Sequence, residues 1–326
     1  MFSIRNNGGV AVSDKIKIAA IVGPTASGKT ALSIALAKLF DGEIVSCDSM
    51  QVYKRMNIGT AKPTLEEMDG VPHHLIDIAE PDRIYSCAEY VSDAKNVIND
   101  IVSRGKLPIV CGGTGLYLDS LLRGGSFEVT DTDDGYRREL MQLASDKGNC
   151  FVHDMLKKVD PESASAIHQN NVKRVIRALE IYKTTGHTKT ELDARSREND
   201  SEYDALVIGI RYDDREVLYE RIDKRVDIML ETGLENEIKE LIAEGVFDSS
   251  GTATQAIGYK ELFGYIKGET SYEDAVSLLK QSTRRYAKRQ LTWFSNHSNV
   301  VWIDVKKENN FEQILNIAQN LFNNFI

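Results

Sequence analysis

Residues Gly23-Pro24-Thr25-Ala26-Ser27-Gly28-Lys29-Thr30 constrain this chain more than any other feature. They follow a short β-branched apolar run, Ile16 to Val22, and lead into a pattern with Leu32, Leu36 and Leu39 on one helical face. Strand, glycine turn and helix in that order make the first half of a βαβ unit, so a parallel sheet is expected. The spacing G-x-x-x-x-G-K-[ST] is that of a phosphate-binding P-loop. Its glycines let successive backbone N–H groups point inward, and the helix N-terminus adds positive potential. Lys29 then reaches the outer phosphates, and the Thr30 hydroxyl is placed to ligate Mg2+.

The rest of the chain extends this pattern. Strands are expected at Glu43–Ser46, Leu107–Cys111, Ala205–Ile210 and Val300–Val305, with a helix from about Ala88 to Ser103. Each strand lies beside helical sequence. The expected fold is α/β, a P-loop NTPase-like parallel sheet with helices on both faces. The stretch from about Gly125 to Asp204 differs, carrying helix signals and almost no strand. Pro161 opens one helix there, and Val172, Val175, Ile176 and Leu179 form the apolar stripe of another. This predicts a flexible tail over 1–15, a core made of 16–124 and 205–326, and a helical insertion at 125–204. Within the core, a further helical stretch runs from Asp214 to Asn296.

Composition narrows the setting. No segment approaches the roughly 20 apolar residues that span a bilayer, and the first fifteen residues lack the apolar run of a signal peptide. Cys47, Cys87, Cys111 and Cys150 show no zinc spacing and read as reduced, mostly buried thiols of a cytoplasmic protein. The net charge of −9 argues against a general polyanion binder, so any nucleic-acid contact rests on local basic residues. Arg284, Arg285, Lys288 and Arg289 form such a cluster on one helix, as a solvated face, an RNA contact or a line of charge toward a diphosphate. Adjacent His73 and His74 point apart and do not suggest a metal site, and Trp293 and Trp302 read as core residues.

Phosphate binding alone leaves the reaction open. Most P-loop proteins that cleave ATP or GTP place an acid after a later apolar strand. Here that strand runs into Gly112-Gly113-Thr114-Gly115. The second strand ends in Ser46-Cys47-Asp48-Ser49-Met50-Gln51-Val52-Tyr53, which brings Asp48 over the bound phosphates. A carboxylate there holds Mg2+ through water, takes a proton from a nucleophile, or caps a turn. Gln51, with one donor and one acceptor group, suits a base edge. The residues alone leave the reaction open, with a small-molecule kinase and a nucleotide-switched RNA-binding protein among the readings that fit.

The P-loop and the Asp48–Tyr53 run resemble the tRNA dimethylallyltransferase (tRNA isopentenylpyrophosphate transferase) family, bacterial type. So do Ile58-Gly59-Thr60-Ala61-Lys62-Pro63, Pro72 to Asp77, Gly112 to Tyr117, Arg174 to Glu180, Gln255 to Glu261 and Arg285 to Phe294. These motifs stand in the family's order across roughly residues 16 to 305. The resemblance implies that the loop takes the diphosphate of dimethylallyl diphosphate where a kinase takes ATP. The prenyl group then passes to N6 of the adenosine just 3′ of the tRNA anticodon. It further implies Asp48 as general base, with Thr25 and Arg225 steadying the leaving group beside Lys29, Thr30 and Mg2+. Asp48, Ser49, Met50, Gln51, Thr114 and Arg137 would touch tRNA, as would the basic run Lys173, Arg174 and Arg177 on the inserted helices. Lys173 stands where the family commonly has glutamine, so an amide contact to a base is lost there. A monomer is expected.

Overall fold

The computed structural model describes residues 15–123, 134–198, 200–248, 252–297 and 299–326. The expected tail therefore lies almost wholly outside the described residues, as does the segment 124–133. The chain forms two compact units. One comprises the chain up to Asp119 and again from Glu202 to Ile326; the other is Ser120–Ser201.

In the first unit the elements run β1 (Ile16–Val22), α1 (Lys29–Leu39), β2 (Gly42–Cys47), α2 (Leu65–Met68), β3 (His73–His74), α3 (Cys87–Ser103) and β4 (Leu107–Gly112). Helix α4 (Gly115–Leu122) follows, and then the helical unit with α5 (Asp134–Lys147), α6 (Asn149–Val159), α7 (Pro161–Ala166), α8 (Val172–Thr185) and α9 (Lys189–Glu198). The chain returns through β5 (Tyr203–Tyr212), α10 (Arg215–Glu231), α11 (Leu234–Ala243), α12 (Lys260–Ile266), α13 (Tyr272–Ser295), β6 (Val300–Val305) and α14 (Phe311–Phe325).

Among the described residues the strands form one sheet in the order β3-β2-β4-β1-β5-β6, and every pairing is parallel. Side chains alternate between its faces. Ala19 and Ile21 of β1 join Ile44, Ile109, Ile208 and Ile210 beneath α1 and α14, where Leu32, Leu36 and Phe322 are buried. Ile18 and Ala20, equally buried, belong to the opposite face, and α3 packs along β2 and β4. Ser86 starts α3 as a capping box with Glu89, leaving fewer of its first N–H groups orphaned.

Several details differ from the sequence reading. Strand β5 is longer than expected at both ends, because Tyr203, Asp204, Arg211 and Tyr212 also pair, with β1 or with β6. The short edge strand β3 was not foreseen. Leu39 is half exposed at the last position of α1, whereas Leu32 and Leu36 are buried as expected. Among its described residues the stretch 214–296 holds four α-helices, with 3-10 turns at Val246–Asp248 and Thr252–Gln255.

The helical unit has its own core of Leu140, Val152, Leu156, Val175, Ile176 and Leu179. Asp160 fixes the start of α7, accepting from Ser163 N at 3.0 Å, and also accepts from the Thr190 hydroxyl at 2.7 Å. Pro161 occupies the first turn, where its missing N–H costs nothing.

Candidate functional site

The sheet register brings three strand ends to one level. Val22 and Cys47 both pair with Gly112, so the loops leaving β1, β2 and β4 emerge side by side. Ligands of open α/β sheets bind outside these carboxyl ends. A cavity of about 280 Å3 lies there, lined by Thr25, Lys29, Thr30, Asp48 to Gln51, and by residues of α10 and α13.

The phosphate end is built by the P-loop. Its turn needs left-handed backbone at Ala26 (φ 63°) and Gly28 (φ 94°), and Gly28 directly precedes α1. Gly23 also has positive φ, and a Cβ there would sit 2.5 Å from the carbonyl oxygen of Ile210. Ser27 is buried behind the loop, while Thr25, Lys29 and Thr30 face the cavity. Lys29 Nζ donates to the loop's own Pro24 carbonyl at 2.7 Å. Burial lowers the Lys29 ammonium to about 8; Cys111 and Asp48 oppose the shift and Arg225 adds to it. Arg225 projects from α10 into the same cavity, and its guanidinium too is lowered, chiefly by burial. Cations held together out of water in this way are primed for an anion.

Asp48 closes the other side. Its Oδ1 accepts from Met50 N at 2.9 Å and Gln51 N at 3.4 Å, so the carboxylate caps the turn that follows β2. That engagement uses one oxygen. Thr114 locks this turn to the β4 loop, its hydroxyl accepting from Ser49 N at 3.0 Å while its own N–H donates to Cys47 O at 3.1 Å. The approach leaves no room at Gly112, where a Cβ would meet Cys47 O at 2.1 Å.

Helix α13 covers the cavity with Thr283, Tyr286, Arg289 and Gln290. Tyr286 lies beside the Thr114 side chain. Gln290 is buried, accepting from Thr25 N at 2.8 Å and donating to Gly113 O at 3.1 Å, which ties the P-loop to the β4 loop. Sequence reasoning did not single out Gln290 or Tyr286, although both lie in the Arg285–Phe294 motif. It also missed Arg221, which donates to Ala26 O at 2.9 Å from the exposed face of α10.

The basic cluster is divided. Arg284 is committed to Asp223, at 2.5 and 2.8 Å, so it does not belong to a free RNA face; Arg285 and Lys288 are exposed, and Arg289 lines the cavity. His73 and His74 bond separately, to Val71 O and to the Glu43 carboxylate. Trp293 and Trp302 are only partly buried rather than core. Trp293 donates to Asp119 at 3.0 Å and lies against Gly115, and Trp302 carries the Arg211 guanidinium on its ring. The cysteines are free thiols, but Cys150 is exposed and two others are only partly buried.

In the helical unit, Lys173 and Arg174 are exposed. Arg137 and Arg177 instead pair with Glu180, a wholly buried carboxylate, with Arg137 Nε at 2.8 Å. Among the described residues no cluster of three or more His, Cys, Asp or Glu is arranged to hold a metal. No helix among them is long and apolar enough to cross a membrane.

Comparison with known proteins gives a concordant answer. The family model described as IPP transferase matches residues 51–297. A tRNA dimethylallyltransferase of Bacillus cytotoxicus is 52% identical over 299 residues, covering 92% of this chain and 93% of its own. A solved tRNA isopentenylpyrophosphate transferase from Bacillus halodurans superposes with a TM-score of 0.71 at 46% identity, covering 95% of this chain and 96% of its own. A eukaryotic dimethylallyltransferase acting on tRNA reaches a TM-score of 0.79 at 32% identity, covering 95% of this chain and 80% of its own. By motif order, fold and similarity along nearly its whole length, this chain belongs to the IPP transferase family, whose curated relatives are tRNA dimethylallyltransferases.

Proposed function

We propose that the enzyme transfers the dimethylallyl group of dimethylallyl diphosphate to N6 of the adenosine 3′ of the anticodon in tRNA. The observation that carries this reading is the pairing, within one cavity, of a cationic phosphate cradle with a carboxylate that keeps one oxygen free. The amine nitrogen attacks the allylic carbon, the carbon–oxygen bond breaks, and diphosphate departs with the electron pair. Lys29, Arg225 and the P-loop N–H groups neutralise the charge that grows on the leaving group. Asp48 accepts the proton lost from the amine. Thr25 steadies the diphosphate, its backbone held in place by Gln290.

Mg2+ suits this donor set. The Thr30 hydroxyl at the cavity wall would hold it together with the substrate's phosphate oxygens, which leaves the free Asp48 oxygen for the amine. When bound it neutralises diphosphate charge.

The target base has to leave its stack to bring its amine to Asp48 at the cavity wall. Ser49, Met50, Gln51 and Thr114 meet the extruded nucleotide, and the exposed Lys173 and Arg174 of the helical unit contact the stem-loop. The reading includes a cytoplasmic, monomeric enzyme, in keeping with a tRNA substrate. Incubation of the protein with unmodified tRNA, Mg2+ and dimethylallyl diphosphate, followed by nucleoside mass analysis, tests it. An adenosine heavier by one prenyl group is expected; consumption of ATP without such a product would overturn it.

A further inference from the structure

Gln51 was expected to present both a donor and an acceptor to a base. The structure removes the donor. Gln51 Nε2 donates to Thr60 O at 3.3 Å and to Ala61 O at 3.1 Å, while its Oε1 lies 3.3 Å from the Ser46 hydroxyl. Two carbonyl oxygens only accept, so the group facing them has to be the NH2, and a flipped amide would set oxygen against oxygen. What Gln51 turns toward the cavity is therefore acceptor capacity alone.

The two carbonyls that impose this belong to the loop 57–61, which is held partly by its own bonds, among them Lys62 N to Asn57 O at 3.0 Å and the Thr60 hydroxyl to Met56 O at 2.5 Å. Ala61 sits at φ 48°, in left-handed backbone, with its N–H bonded to Ile58 O at 2.9 Å. A further restraint comes from α11. Glu237 accepts three consecutive N–H groups, those of Asn57 at 2.9 Å, Ile58 at 2.8 Å and Gly59 at 3.1 Å. It also accepts the Tyr259 hydroxyl at 2.7 Å. The fit is close: a Cβ on Gly59 would stand 2.4 Å from the Tyr259 ring.

We infer that Glu237 is a positioning residue for base selection: by clamping the loop 57–61 it locks the Gln51 amide as an acceptor, so the site admits a purine with an exocyclic amine and rejects one with an oxo group. This rests on the transferase reading above and extends it. An amine offers two hydrogens, one for Asp48 and one for the Gln51 acceptor. An oxo group meets two acceptors and gains nothing from either. A site built to receive a donor discriminates strongly against a ligand lacking it.

The test uses anticodon stem-loop RNA carrying adenosine or inosine at the target position, with affinities measured by titration against the full-length enzyme. The wild type is expected to prefer adenosine by at least about tenfold. Glu237→Gln places an NH2 among the loop N–H groups, and the preference should fall to within about threefold while the KM for dimethylallyl diphosphate holds. In a Gln51→Leu background the preference is already reduced, and adding Glu237→Gln should change it no further. If Glu237→Gln does not fold, Tyr259→Phe enters the same cycle with a smaller loss of preference expected. An unchanged preference in the variant that folds, or an equal loss in the Gln51→Leu background, would overturn the inference while leaving an active wild type. A wild type that forms no prenylated adenosine would sink the transferase reading, and this inference with it.

Discussion

The two ends of the cavity are built in opposite ways. The backbone of the phosphate end is a single run of chain, Gly23 to Thr30, between β1 and α1, to which α10 adds Arg225 and α13 adds the Gln290 brace. The base end is assembled from Gln51, the loop 57–61, Glu237 and Tyr259, so its chemistry depends on contacts nearly two hundred residues apart. A contiguous cradle carries its function in a spacing rule. An assembled pocket carries it in restraints that no spacing rule records.

The largest expected effect tests where the two ends meet. Asparagine at 48 keeps the Oδ1 that accepts from Met50 and Gln51 but loses the base, so Asp48→Asn should lower kcat by about 10²-fold or more while substrate affinities stay near wild type. Asp48→Ala should add a loss of tRNA affinity, because the turn cap goes as well. Unchanged turnover in the asparagine variant would reduce Asp48 to a capping residue.

Next come losses confined to the phosphate end. Lys29→Ala should weaken dimethylallyl diphosphate binding by about ten- to a hundredfold, the scale of a charge-assisted hydrogen bond, and Thr30→Ala should raise the Mg2+ requirement. Neither should move tRNA affinity; a variant that lost tRNA and kept diphosphate would exchange the assignments of the two ends. The pH dependence follows from Lys29 as well. In the free enzyme its ammonium is lowered to about 8, so it loses its charge as pH rises through that value. Since kcat/KM reports the free enzyme, it should fall above about pH 8, whereas kcat, measured with diphosphate holding the proton on, should stay level there.

At the base end, Gly59→Ala should raise the KM for tRNA by about tenfold and leave that for diphosphate alone, because only the loop beneath Gln51 has to shift. The smallest effect concerns the exposed part of α13. If Arg285 and Lys288 touch phosphate, neutralising each should reduce the salt slope of tRNA binding by about one, with little change in which tRNAs bind. A wild-type slope in both variants would assign that face to solvent.

The same contrast explains what could be read in advance. The sheet and the strand ends were legible because buried strands are short apolar runs and the glycines punctuate them. The insertion stood out because Val175, Ile176 and Leu179 repeat at helical spacing. Arg284 looked like a neighbour of Arg285, and only the fold reveals that Asp223 claims it. Arg137 likewise met Glu180 through tertiary packing. Glu237 gave no signal at all, since one glutamate among many on an acidic helix is ordinary until three backbone N–H groups are found pointing at it.

Gln290 has a consequence for how the gene is able to vary. Its amide serves as acceptor for Thr25 N–H and as donor to the Gly113 carbonyl, so the position needs both functions at the end of a flexible stem. A single base change in a glutamine codon reaches Glu, Lys, Arg, Leu, Pro or His. Glutamate lacks the donor, lysine and arginine lack the acceptor, leucine and proline lack both, and histidine carries its pair on a short rigid ring. No one-step neighbour rebuilds the bridge, so a lineage that holds this glutamine is confined to its two synonymous codons.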